Sequence, residues 1–213
     1  MKRSRILLAD DHAIVIEGLR RILDHPEFEV VGVASDGRAL LQAAAQLQPD
    51  VIITDIAMPL LNGIDAAREI HKQSSKPKII FLTMHPEAVY ATAALAAGAS
   101  GYVLKSAAGE ELISAIRDAL EGRIYISKTI AKSVKRAREV RPADDSSAID
   151  GLTRRQREVL QLLAEGRQVK EIAVVLNVSP KTVEFHKYRI MDTLGVRTVA
   201  DLTRYALKRG IVV

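Results

Sequence analysis

Ile6-Leu7-Leu8-Ala9-Asp10-Asp11 is an apolar run that stops abruptly on two carboxylates. It is not alone. VIITD (Val51 to Asp55), IIFLT (Ile79 to Thr83) and GYVLK (Gly101 to Lys105) are also short, apolar and closed by a residue able to hold a phosphate or a metal. In an open parallel α/β sheet the carboxyl ends of the strands line one crevice, and ligands bind there. Asp10, Asp11, Asp55, Thr83 and Lys105 would converge at such an edge from distant parts of the chain. Three carboxylates, a hydroxyl and an ammonium predict an acidic metal site beside a phosphoryl group.

Working outward, β-branched runs at 5–9, 29–34, 51–55, 78–83 and 101–104 alternate with stretches of helical spacing at 13–23, 37–47, 62–73, 86–97 and 109–121. Five βα units in succession predict a parallel sheet covered on both faces. Strands buried on both faces should be continuously apolar, as these are. Pro49-Asp50 and Lys76-Pro77 mark the approach to two strands.

Residues 122–148 change character. Lys132, Lys135, Arg136, Arg138 and Arg141 precede Pro142-Ala-Asp-Asp-Ser-Ser, which reads as a basic helical segment and then a flexible linker. The remainder is helical by pattern. Thr153-x-x-Gln156 is a capping box opening a helix that stops at Gly166. A second helix covers 169–176. After Asn177-Val178, Ser179 caps a third over 180–193, with Pro180 in its first turn and a stop near Gly195. Thr198-x-x-Asp201 opens a fourth, reaching about Arg209. A short turn between helices before a basic element suggests helix-turn-helix. The expected division is 1–122, a linker at 123–148, and 149–213.

The bulk numbers agree with two domains. The chain has 213 residues, 48% of them hydrophobic and 27% charged, which excludes wholesale disorder. Absence of cysteine removes disulfide and thiolate chemistry and fits a reducing cytoplasm. Met1 to Ala9 imitates a signal peptide, but Asp10 and Asp11 interrupt it too early, and no run is long enough to span a bilayer. Residues 1–125 hold 13 Lys and Arg against 16 Asp and Glu, net −3; the rest hold 18 against 10, net +8. An acidic module joined to one that meets an anionic partner is implied, although residues 126–147 alone contribute six basic residues and three acidic ones.

Adjacent Asp10 and Asp11 repel unless a cation neutralises them, and Mg²⁺ takes carboxylate oxygens readily. Asp55 is the best nucleophile, since a carboxylate can carry a phosphoryl group as an acyl phosphate. Thr83 can donate to a phosphoryl oxygen, and Lys105 can place its charge on another. Singly, each of these residues is more often a cap or a solvated side chain. Together at one edge they argue for function. His12 and His85 lie near the same edge and read as loop histidines, although either could be a ligand or phosphoacceptor.

With these residues in hand, the first 121 residues resemble the receiver domain of two-component response regulators. The match rests on Asp10-Asp11, Asp55 followed by Met58-Pro59 and Gly63, Thr83, and Lys105 in GYVLK. The resemblance implies Mg²⁺ on Asp10, Asp11 and Asp55, phosphorylation of Asp55 by a partner histidine kinase, and phosphoryl binding by Thr83 and Lys105. It also implies that Tyr102 moves inward with Thr83 on activation; an ordinary strand tyrosine would instead be half-buried. Many receivers place a cis proline after the lysine, and here Ser106 stands there. That departure bears on the local backbone and points to the NarL/FixJ branch with a four-helix DNA-binding end.

At 100° per residue, the helix from Pro180 puts Val183, His186, Ile190 and Met191 inward. Lys181, Thr182, Glu184, Phe185, Tyr188 and Arg189 face outward, and Lys187 falls toward the core side and must snorkel or pack sideways. Phe185 suits a thymine methyl and Glu184 a cytosine amine; Lys181, Thr182 and Arg189 suit phosphates. An amphipathic helix of a small bundle would give a similar pattern. Residues 150–213 resemble the LuxR-type helix-turn-helix domain through LTRRQREVLQLLAEG, KEIA and VSPKTVEFHKYRIMDTLGV. The resemblance implies that this helix reads the major groove of double-stranded DNA and that Thr198 to Leu207 pairs two domains.

The chain therefore reads as a cytoplasmic transcription regulator, not an enzyme, that forms homodimers on activation and works with RNA polymerase. The Ala-rich helix 86–97 offers a close-packing surface for a second copy or for the chain's own DNA-binding end. Three competitors fit less well. An aspartyl-phosphate phosphatase of the haloacid dehalogenase kind needs Asp-x-Asp, which neither Asp55-Ile56-Ala57 nor Asp10-Asp11 supplies. A flavin or nucleotide module needs a Gly-rich cradle where this chain has ADDHA. Control by a ligand or protein partner without phosphorylation would leave the strand-end constellation unused.

Overall fold

The computed structural model describes residues 3–74, 77–140, 151–209 and 211–212. The linker Pro142–Ser147, the chain start at Met1-Lys2 and Lys76 lie outside them. Strands β1 (Ser4–Ala9), β2 (Phe28–Ala34), β3 (Val51–Thr54), β4 (Lys78–Thr83) and β5 (Gly101–Leu104) alternate with helices α1 (Ala13–Ile22), α2 (Gly37–Leu47), α3 (Gly63–Gln73), α4 (Ala88–Ala96) and α5 (Ala108–Leu120). The expected α/β, doubly wound (βα)5 receiver sheet is present, every pairing parallel, in the order β2-β1-β3-β4-β5-β6.

Strand alternation sorts the sheet into two cores. Leu7, Ile52, Ile79, Phe81 and Tyr102 point to the face covered by α2, α3 and α4. Ile6, Leu8, Ile53, Ile80, Leu82 and Val103 point to the face covered by α1 and α5. Because both faces are dry, the strand sequences are uniformly apolar and show no period of two.

The sequence reading missed a sixth strand, β6 (Tyr125–Ile126), paired with β5. Two residues carry too little pattern to distinguish a strand from a turn. Helix α6 (Lys128–Val140) follows. Ser127 starts it, with its carbonyl accepting from the Ile130 and Ala131 N–H groups and its N–H donating to the Tyr102 carbonyl. Ile130 and Val134 of α6 join the core under α4. The Ala-rich surface of α4 is thus partly covered by the chain's own basic segment. The bands of polar and apolar residues in α6 are those of a helix lying on a neighbour.

The last part is all-α: α7 (Arg154–Ala164), α8 (Val169–Leu176), α9 (Pro180–Leu194) and α10 (Val199–Lys208) around one core. The Thr153–Gln156 capping box forms in both directions. Asn177 and Gly195 close α8 and α9 in the left-handed conformation, and Ser179 and Thr198 cap α9 and α10 as their sequences predict. No described helix is long and apolar enough to cross a membrane.

Candidate phosphoryl site and nucleic-acid interface

The register aligns Ala9 with Thr54 and Thr83 with Leu104. One residue further on, Asp10, Asp55 and Lys105 leave their strands at the same edge. The Lys105 Nζ lies 2.7 Å from Asp10 Oδ2 and 2.6 Å from Asp55 Oδ2. Burial opposes its charge, but hydrogen bonds to Asp10 and Asp55 and the charges of both carboxylates prevail and raise its pKa. Asp10 and Asp55 are both buried. The other oxygen of Asp55 accepts from the Ile56 N–H at 2.6 Å.

Asp10, Asp55 and His12 bring ligand-capable atoms within 4.8 Å of one another. Asp11 is more exposed and reaches the group through His12, whose Nδ1 lies 2.8 Å from Asp11 Oδ1 and 3.2 Å from Asp10 Oδ1. Three carboxylates against one ammonium leave the cluster short of positive charge, and carboxylate oxygens are the donors that a hard divalent cation takes.

Thr83 is fully buried at the end of β4, its hydroxyl facing the His85 N–H at 3.4 Å. Tyr102 is not half-buried but wholly so, with its hydroxyl donating to the His85 carbonyl at 2.8 Å. Burial pushes its phenol far up, helped by Glu87 and Asp55. Thr83 and Tyr102 therefore meet at His85. The Lys105–Ser106 bond is trans, like every other peptide bond described, and opens a 3₁₀ turn, Lys105–Ala107.

Gly63 is forced by the site. A Cβ there would fall 1.9 Å from the Asp55 carbonyl oxygen. Its N–H donates to the Ile56 carbonyl at 2.8 Å, so the loop after Asp55 folds back on itself. A Cβ on Gly37 would likewise collide with the Leu61 carbonyl, at 1.9 Å.

The sequence reading did not anticipate what lies on this loop. Gln161 of α7, 1% exposed, donates from Nε2 to the Met58 carbonyl (2.7 Å) and accepts at Oε1 from the Asn62 N–H (2.9 Å). Glu165 accepts from the Leu60 N–H at 3.0 Å. Ion pairs flank the contact: Arg157–Asp65 at 3.2 Å, Arg154–Glu69 at 2.5 Å and Arg38–Glu158 at 3.6 Å. At the far end the Tyr90 hydroxyl donates to the Lys208 carbonyl at 3.3 Å. In sequence, Arg154, Glu158, Gln161 and Glu165 recur as one polar stripe of α7 and look like a solvent face; nothing local distinguishes the two.

On α9, Val183 and Ile190 are buried while Phe185 and Tyr188 are each 60% exposed. Lys181 and Arg189 are exposed, and Thr182 and Glu184 lie at the margin. Lys187 packs sideways, with its ammonium 3.4 Å from Glu184 and 4.9 Å from the Tyr188 ring centroid.

A doubly wound sheet with carboxylates and lysine at its strand ends, followed by a four-helix domain presenting exposed cations and aromatics on α9, defines a two-domain signalling regulator. The response regulator receiver domain matches residues 6–117, and the LuxR family of bacterial regulatory proteins matches residues 150–206. The chain belongs to the response regulators with a LuxR-type DNA-binding domain, the NarL/FixJ family. It is 36% identical to the response regulator UvrY of Escherichia coli over 97% of this chain and 94% of that protein. It is 38% identical to the oxygen regulatory protein NreC of Staphylococcus carnosus over 98% and 99%. Among solved structures, RcsB of Salmonella enterica serovar Typhimurium, bound to promoter rprA with the phosphomimetic BeF3-, matches at a TM-score of 0.61 and 31% identity, covering 95% of this chain and 98% of that one.

Proposed function

We propose that this response regulator is phosphorylated on Asp55 by a sensor histidine kinase and thereby controls pairing of its DNA-binding domains at a promoter. The observation that carries the reading is the Asp10–Lys105–Asp55 cluster at the sheet edge. An Asp55 oxygen forms the new bond to phosphorus, the P–N bond of the kinase phosphohistidine breaks, and its electron pair returns to the imidazole. Lys105 sits where it can neutralise the transferred group, and Thr83 can donate to it. Asp10, Asp11 and Asp55 would hold Mg²⁺, which offsets the accumulating negative charge when bound. Tyr102 follows Thr83 as the switch residue.

The working division is receiver 1–122, linker 123–148 and DNA-binding domain 149–213. Lys181, Thr182, Glu184, Phe185, Lys187, Tyr188 and Arg189 contact duplex DNA from α9. Phe185 and Tyr188 stay exposed in the docked chain, which supports a regulation that acts on pairing and not on access to α9. Docking ties the end of α10 to α4 through Tyr90 and Lys208. Release of α10 frees the surface from Thr198 to Leu207 to pair with a second copy. Head-to-head pairing sets two half-sites about 34–36 Å apart. The protein acts in the cytoplasm, recruits or blocks RNA polymerase, and is a regulator rather than an aspartyl phosphatase, since Asp-x-Asp is missing.

The test is intact mass after incubation with Mg²⁺ and a small acyl-phosphate donor, with Asp55→Asn in parallel. One phosphoryl adduct on the parent and none on the variant is expected. An unmodified parent of intact fold by circular dichroism would instead favour control by a ligand or protein partner.

A further inference from the structure

We infer that Gln161, a residue of the DNA-binding domain, is a positioning residue that holds the Asp55 loop closed and so restrains phosphoryl transfer to Asp55. The inference rests on the phosphoacceptor reading above and adds a second domain to the chemistry. The observation is the loop between Asp55 and α3. Its seven residues, 56–62, separate the carboxylate from Gly63, and Gln161 spans them at two points, Met58 and Asn62. Met58 is three residues from the phosphoacceptor.

Leu60 shows that the loop is held rather than merely covered. Its φ is +66°, a left-handed conformation that a leucine side chain disfavours. Such conformations persist where the surroundings over-determine them. Here the surroundings belong to the other domain. The Leu60 side chain packs against the core of α7 to α10, and its N–H donates to Glu165. Glu165, the residue that caps the end of α7, in turn accepts from Gln161 Nε2 at 2.9 Å, so the two side chains form one clamp.

The clamp and the acceptor share a backbone. While it is closed, one Asp55 oxygen is held by the Ile56 N–H and the other by Lys105, and the carboxylate is buried. Attack on a phosphoryl donor needs an Asp55 oxygen free and room for three further oxygens beside it. The loop must shift to give both, and the shift works against Gln161 and Glu165. Coupling between two equilibria is reciprocal, so a phosphoryl group that needs the open loop also loosens α7. The rate follows from the geometry: the clamp must give way before an Asp55 oxygen is free, so the docked DNA-binding domain slows acceptance of phosphate. Gln161 does this through backbone groups without touching the donor.

The experiment follows adduct formation on the full chain by intact mass, with Mg²⁺ and acetyl phosphate. A new P–O bond forms to Asp55, the bridging P–O bond of the donor breaks, and acetate leaves. The variants are Gln161→Ala, Leu60→Gly, Arg154→Ala and Asp55→Asn, each checked for fold by circular dichroism. Gln161→Ala removes the clamp from α7. Leu60→Gly relieves the left-handed strain and empties the pocket from the loop side, so the idea does not depend on one variant folding. Arg154→Ala removes a neighbouring interdomain ion pair without touching the loop. Gln161→Ala and Leu60→Gly are expected to form the adduct at least about 5-fold faster than the parent, a coupling of ordinary allosteric size. Arg154→Ala should stay within about 2-fold of the parent, well inside that coupling. Parent-like rates in both loop variants, or an equal acceleration in Arg154→Ala, overturn the assignment and leave the phosphoacceptor reading standing. A parent that takes no adduct, or an Asp55→Asn protein that takes the same one, removes the phosphoacceptor reading and this inference with it.

Discussion

Lys105 sets the balance of charge at the strand ends, because it is the cation that bridges Asp10 and Asp55. Taking it away leaves two buried carboxylates facing each other. Breaking a buried ion pair from one side costs about 3–5 kcal/mol, so Lys105→Gln should lose about 3 kcal/mol of receiver stability in urea melts without metal. Added Mg²⁺ should restore more of it in the variant than it adds to the parent. A Lys105→Gln protein as stable as the parent, with no gain from Mg²⁺, would remove the electrostatic account of the cluster. The pH dependence follows in sign. The Lys105 pKa is raised above its ordinary 10.5 in the folded chain. Its contribution is complete below that value and fades as pH rises through the higher folded one, so only the parent should lose this increment in strongly alkaline melts. Asp10, Asp55, Thr83 and Lys105 were legible in the sequence because each ends an apolar run, where a charged or hydroxyl residue stands out. Gln161 and Leu60 were not. Their roles come from contacts across the fold, and a glutamine on a helix or a leucine in a loop carries no local mark of them.

Among the elements, the sheet was the easiest to read, since buried parallel strands are short, apolar and punctuated. Helix boundaries came within a residue or two because caps such as Thr153 and Ser179 are local chemistry. Strand β6 and the docking of α6 depended on tertiary packing. Ser127 ties the two together: its hydroxyl is hydrogen-bonded to buried Glu111 and accepts from the Leu104 N–H at 3.3 Å, next to Lys105. The start of α6 is thereby linked to the end of β5. Helix α9 has one buried face, with Val183 and Ile190, and one exposed face, with Lys181, Phe185, Tyr188 and Arg189, the proposed DNA-contacting side. Phe185 contributes little to the core, so Phe185→Ala should change melting by less than about 0.5 kcal/mol. It should nevertheless cost about 1–3 kcal/mol at the preferred operator and much less on random DNA. Lys181→Ala should weaken both equally and flatten the salt dependence by about 0.9 in slope, the mark of one lost phosphate contact. Titrations of the two variants at several salt concentrations decide this; equal loss on both DNAs for Phe185→Ala would make α9 a bundle helix with an incidental aromatic.

At the scale of the molecule, two kinds of electrostatics coexist. The α9 cations Lys181 and Arg189 are exposed, whereas the docking pair Asp65–Arg157 is largely buried; the outlying docking cations Arg154 and Arg38 keep 47% and 37% of their side chains exposed and lie at the edge of the interface. Asp65 is almost wholly buried, and Arg157, which faces it across the interface, keeps only 17% of its side chain exposed. Asp65 also accepts from Arg68 at 2.8 Å and from Asn62 Nδ2 at 3.1 Å, so the pair belongs to a network anchored in α3. Exposed charges are screened within a Debye length of about 10 Å at 0.1 M salt, whereas buried pairs are screened far less. Salt should therefore separate the two functions. Raising it from 0.1 to 0.5 M should strip the protein from DNA while the unphosphorylated chain keeps its docked radius of gyration in small-angle scattering. Arg157→Ala should enlarge that radius at every salt concentration, because it leaves the Asp65 carboxylate facing α7 without its interdomain cation. Asp65→Ala should do the same. Since both remove one shared interaction, the double variant should be opened little further than the worse single, with a coupling of about 1–3 kcal/mol. A parent whose radius climbs with salt to that of Arg157→Ala would show that the docked state is held by screened surface charge. The clamp on Leu60 would then have no rigid domain behind it.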